Sequence, residues 1–203
     1  MSDSFQPSAS KRFVDTVAAI DAINAQDPRR MIDDKGRPGP YEVIYAQRLT
    51  DWALKLDEKA SERLLLAARA QHIARWTVHR NTYPEGRNGY LRWREDLKHF
   101  HAEKAASVMA KTGYDEETIH IVKQLIRKEL FPDHPESRVL EDALCLLFIE
   151  SQLADFARGK TEQKSIDVLR KTWMKMTPTA RNIARSMELQ REVMDIMRRA
   201  KVI

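Results

Sequence analysis

The spacing of apolar residues leaves this chain essentially one fold class. In each long segment from Ser10 to Lys201 they return at intervals of three, four and seven, which places them on one face of a helix. No stretch alternates apolar and polar residues for long enough to form a strand. The expected fold is all-α, a single helical bundle over residues 10–203 behind a flexible polar tail at 1–9.

Capping residues cut this pattern into elements. Ser10 suits the N-cap of a first helix reaching about Gln26, with Phe13, Val17, Ile20 and Asn24 inward. Pro40 opens a second helix to about Leu56, and Asp57 or Ser61 caps a third from Glu62 to Trp76. Gly89 releases a fourth from Tyr90 to Thr112, which Gly113 ends. Asp115 caps a fifth from Glu116 to about Glu129. A sixth, Glu136 to Ala157, is apolar on nearly all sides through ALCLLFI, as expected of a central helix. Thr161 caps a seventh, and the Thr177-Pro178 pair opens an eighth, so that C-terminal helices occupy 161–200. Between the first two helices, DPRRMIDDKGRPGP carries three prolines and two glycines, which forbid helix and leave a flap or a disordered crossover.

Three polar residues interrupt apolar helical faces. His72 shares a face with Leu65 and Ala68, His101 with Leu97, Ala105 and Val108, and Asp142 with Val139, Leu146 and Ile149. A buried carboxylate demands a partner or a metal, and two imidazoles with one carboxylate suit a single divalent ion. Three satisfied core polar groups would explain the same pattern.

Charge adds a direction. Between Arg69 and Lys104 there are eight Lys or Arg against four Asp or Glu, so positive charge gathers around His72 and His101 and favours a phosphate-bearing partner, a small molecule or RNA. In the first turns of the fourth helix Tyr90, Trp93 and Phe100 mix with Arg92, Arg94 and Lys98, which suits either a stacked and clamped nucleotide or an aromatic core with snorkelling charges. Other chemistries lack their signatures: there is no GxGxxG, Walker loop, HExxH or GxSxG. The single cysteine, Cys145, excludes a disulfide framework. No apolar run is long enough to span a bilayer, and the N-terminus lacks the apolar core of a signal peptide, so a cytoplasmic protein without a membrane partner is expected.

From LLLAARAQHI through HAEKAASVMAKTGYDEETIHIVKQLIRKE to LEDALCL, about residues 41–157, the chain resembles the HD-domain superfamily of metal-dependent phosphohydrolases. Over nearly its whole length it is also similar to a bacterial and fungal family catalogued as domain of unknown function forty-two-oh-two. That likeness lies in AQHIARW, YPEGRNGYLRWR, FHAEKAA, LIRKEL and LEDALCLLF. The HD resemblance implies an HD-like core with N- and C-terminal helical additions, and metal ligation by His72, His101 and Asp142. Ile73 replaces the aspartate of the HD pair, Arg127 and Lys128 stand where a second-metal histidine pair would be, and Tyr45 or Glu42 fills the upstream ligand position, so one metal is expected and not two.

Three readings follow as expectations. In the first the protein is a one-metal phosphohydrolase acting on a nucleotide or other phosphate ester, with Glu42 and Lys128 in catalytic roles. Arg75, Arg80, Trp76, Tyr90, Trp93 and Arg94 hold the substrate. In the second a degenerate HD-like module binds nucleotide or RNA through Arg75, Arg80, Arg94 and Lys128, with Trp76, Tyr90 and Trp93 as stacking faces, and performs no chemistry. A purely structural adaptor is the third.

Overall fold

The computed structural model describes residues 10–203. The expected tail at 1–9 lies outside the described residues. Ten α-helices are seen among the described residues, with one two-stranded ribbon and two 3-10 turns, so the all-α class holds. The chain falls into two compact units, one up to Ser137 and one from Arg138 to Ile203, with the boundary in the first turn of a helix.

In the first unit α1 is Lys11–Asn24, α2 Tyr41–Leu56, α3 Glu62–Ala70, α4 Gly86–Lys111 and α5 Glu116–Arg127. Side-chain caps set three starts: Ser10 accepts the Phe13 N–H, Ser61 that of Leu64, and Asp115 that of Thr118. Helix α3 packs against α1, α2, α4 and α5, and every residue from Leu64 to Ala70 is buried. It is short and rich in alanine, so its neighbours approach closely on all sides. Arg69 is the one charged residue in that run; its Nε donates to Asp21 of α1 at 2.7 Å, which offsets its burial.

In the first unit three elements depart from the sequence expectation. The proline-rich segment forms a ribbon, β1 (Arg30–Ile32) against β2 (Pro38–Pro40), paired antiparallel with Met31 opposite Gly39. Both strands are edges, so prolines with no N–H to donate are tolerated, and three residues are too few to show a period of two. The Asp33 carboxylate accepts the N–H groups of Lys35 and Arg37 and closes the turn, where Gly36 takes φ of 75°. Helix α3 stops at Ala70 instead of reaching Trp76. The chain turns through Gln71–Ala74 into a 3-10 turn, Arg75–Thr77, and a second follows at Arg80–Thr82. Helix α4 begins at Gly86, four residues before the expected start. Gly89 lies within its first turns, where an added Cβ would sit 1.8 Å from the Pro84 carbonyl oxygen.

In the second unit the expected sixth helix is two, α6 (Pro135–Ser151) and α7 (Leu153–Arg158), and the eighth is split into α9 (Pro178–Ser186) and α10 (Arg191–Arg199) beside α8 (Glu162–Lys175). Leu140, Leu146, Leu147, Leu153, Leu169, Val193 and Met197 are buried within it. Thr161 and Thr177 cap α8 and α9 as their sequence positions indicate.

Candidate functional site

The site grows from the turn after α3. Asn24, at the end of α1, accepts the Ala74 N–H through Oδ1 at 3.2 Å, and Ala74 adopts the left-handed conformation with φ of 55°. For a residue with a Cβ that conformation costs about 1–2 kcal/mol. From α4, His101 Nδ1 meets the Ile73 carbonyl oxygen at 2.8 Å. These two contacts end the helix and turn the His72 ring toward α2, where it stacks on Tyr45 with centroids 4.4 Å apart and planes 13° from parallel. His72 and His101 are neighbours, their ring centroids 5.8 Å apart.

Glu42, in the first turn of α2, completes the cluster. It is fully buried, its Oε1 accepts from Arg29 at 2.6 Å, and its Oε2 has no hydrogen-bond partner and lies 3.7 Å from His72 Nδ1. Arg29 also grips Asp27 with Nε and Nη2, and Asp27 Oδ2 accepts the Glu42 N–H at 3.2 Å. Asp27 and Arg29 were not singled out in the sequence. Their one signal is a pair of opposite charges in a segment otherwise dominated by turn residues.

Burial and charge fix the protonation states. A carbonyl oxygen can only accept, so His101 carries its proton on Nδ1, and its buried Nε2 presents a lone pair with no partner. Burial first, and then the Arg75 charge, push the His101 pKa down to about 4, against the bond to Ile73. His72 is driven well below the usual histidine range by burial, then by Arg75, His101, Lys128 and Arg29. Burial pushes Glu42 up to about 7, although Arg29 and Arg75 oppose the shift. Two neutral imidazoles and a carboxyl group near its midpoint therefore stand inside a ring of cations.

Two of those cations are placed unusually. Lys128 ends α5 in the left-handed conformation, φ 63°, with its charge felt at His72. Arg75 is half-buried and lies over the Trp93 indole at 4.9 Å. Among the described residues its guanidinium makes no hydrogen bond or ion pair. Burial outweighs Glu42 and Tyr45 and lowers its pKa.

Residues 15–197 match the family model described as Domain of unknown function (DUF4202). The chain belongs to this family. No curated protein and no solved structure matches the chain. In this DUF4202 member the residues expected at one site take separate roles. Glu42, His72, Arg75, His101 and Lys128 come together. Trp93 joins them through Arg75, its Nε1 donating to the Val78 carbonyl at 3.1 Å. Tyr90 is exposed next to Trp93, with the Arg94 guanidinium over its ring at 5.9 Å. Trp76 is half-buried in the turn after Arg75. Arg80 is a staple: its guanidinium donates to the carbonyls of Tyr83, Pro84 and Gly86, which holds the loop into α4 and leaves little of it for a ligand.

Asp142, in the second unit, has both carboxylate oxygens engaged, one by the Thr177 N–H at 2.9 Å and one by Thr177 Oγ1 at 2.5 Å. It anchors the residue that caps α9. For the expected metal, the donor types of His72, His101 and Glu42 are suitable but their arrangement is not. Among the described residues no group of three or more His, Cys, Asp or Glu side chains is placed to hold an ion. His101 has spent Nδ1 on Ile73 and Glu42 has spent Oε1 on Arg29. The surrounding cations would repel a divalent ion. These residues do not fit a resident metal.

Proposed function

We propose that the protein binds the phosphate of a small phosphate ester in the cluster of Glu42, His72, Arg75, His101 and Lys128. Arg75 carries this reading. A half-buried guanidinium that makes no ion pair is unfavourable, and its place over Trp93 leaves the donor fork open. A phosphate oxygen would supply the missing acceptor in a charge-assisted bond. The bare acceptors of the cluster suit the protonated face of the same ligand, since His101 Nε2 and Glu42 Oε2 can each take a hydrogen bond from a phosphate hydroxyl or a bound water. The HD-like character of the core, in this reading, is the pair of histidines delivered by the turn after α3 and by α4.

The test is calorimetric titration with inorganic phosphate and with a nucleoside monophosphate. Binding is expected for the wild type, with affinity lowered about tenfold or more in Arg75→Gln, as the loss of one hydrogen bond to a charged group implies. Absence of binding by the wild type would refute the proposal.

Hydrolysis of the bound ester is the second reading, and the open Glu42 Oε2 favours it. A carboxyl group titrating near 7 is matched to proton transfer at neutral pH. Water would form the new bond to phosphorus as its ester bond breaks, with Glu42 taking the proton of the water and returning it to the leaving oxygen. Under this reading Glu42→Gln keeps ligand binding and loses release of phosphate from a panel of monoesters; equal turnover in both proteins would remove it.

A further inference from the structure

The geometry points to the end of a single-stranded nucleic acid as the ligand, with its terminal phosphate in the Glu42–His72–Arg75 cluster and the following bases on Trp93 and Tyr90. This rests on the phosphate-binding reading and extends it outward. From the cluster a run of rings and guanidinium groups leads to the surface: Arg75 over Trp93 at 4.9 Å, Trp93 beside Tyr90 at 6.0 Å with their planes 44° apart, and Arg94 over Tyr90 at 5.9 Å. The Trp93 ring is fixed by its bond to Val78 and is only half-buried, so it is a preorganised platform. A ligand of one nucleotide has no need of the next ring, yet Tyr90 is 42% exposed and its neighbour Leu91 51%. Cations accompany this run. Lys98 is paired with Glu95, and Arg92 stands 4.0 Å from Asp96, but among the described residues neither Arg87 nor Arg94 has a carboxylate partner. Stacking faces alternating with unpaired arginines, leading away from a phosphate pocket, are what a short single strand requires and an isolated phosphate ester does not.

The experiment is fluorescence anisotropy with a labelled hexanucleotide in RNA and DNA forms. Each carries a phosphate at its 5′ end, at its 3′ end or at neither, and a nucleoside monophosphate serves as unlabelled competitor. One end-phosphorylated form is expected to bind about tenfold or more tighter than its unphosphorylated counterpart, the increment of the phosphate on Arg75, and about tenfold or more tighter than the monophosphate, the increment of one stacked base. In Tyr90→Ala, an exposed position where the fold has little at stake, the preference for the oligomer over the monophosphate should shrink by a similar factor. RNA bound over DNA, or the reverse, names the sugar recognised. A monophosphate that binds as tightly as every oligomer, or a preference that survives Tyr90→Ala, overturns the extension while the small-ligand reading stands. Failure of the oligomers and the monophosphate alike overturns both.

Discussion

His101 reaches from α4 to donate its Nδ1 proton to the carbonyl of Ile73, the residue that follows His72. One histidine thereby holds the turn that aims the other. Replacing it by alanine strands a buried carbonyl, and His101→Ala should lower stability by about 1–3 kcal/mol in urea unfolding. His101→Asn, whose amide N–H stands roughly where Nδ1 does, should recover part of the loss. Two variants of equal stability would mean that this bond does not hold the turn.

Glu42 and the histidines pull the pH dependence of stability in opposite directions. With His101 at about 4 when folded and near 6.5 when unfolded, the unfolded chain binds the extra proton between those values, so this contribution grows as pH rises and is lost as it falls. Glu42 is at about 7 when folded against 4.5 when unfolded, so the folded chain holds the proton and stability falls with rising pH across that window. Removing the second effect by Glu42→Gln should make the variant gain on the wild type steadily from pH 4.5 to 7. Urea midpoints taken through that range test this, and a difference independent of pH would contradict it.

Under the phosphate-binding proposal, Arg75 and Arg80 separate recognition from architecture. Arg75→Gln should weaken binding of a nucleoside monophosphate about tenfold or more with little change in melting temperature. Arg80→Gln, which releases three loop carbonyls, should lower the melting temperature and loosen the start of α4, seen as faster amide exchange at residues 83–90.

Asp142→Ala takes two hydrogen bonds from Thr177, and the loss of that anchor at the start of α9 should cost about 1–3 kcal/mol. Proteolysis between α8 and α9 should quicken in the variant. An unchanged cleavage pattern would show that Thr177 caps α9 without the carboxylate.

Gly89→Ala should be destabilising even though alanine is the better helix former by about 1 kcal/mol. The new methyl group would lie on the Pro84 carbonyl oxygen, a backbone atom that cannot swing aside, and overpacking of this kind costs about 1–3 kcal/mol. Thermal unfolding of the variant decides which effect wins.

Local chemistry was legible in the sequence. The caps at Ser10, Asp115, Thr161 and Thr177 act within three residues of themselves, and the helical period belongs to each segment alone, so the all-α class followed from the chain as written. His72 and His101 stood out because polar side chains interrupt apolar helical faces, and Arg75 because it lies in a basic stretch, whereas Glu42 and Lys128 were marked only by the positions that the HD resemblance implies. Contacts distant in sequence decided the rest. Helix α3 stops because Asn24, fifty residues away from Ala74, takes its N–H. The Glu42 carboxylate is split between an open oxygen and Arg29 because the ribbon returns beside α2. Asp142 has the spacing of an inward ligand and the partners of a capping anchor. Spacing says which way a side chain faces; what it meets there depends on the packing of other elements, and that is absent from any local pattern.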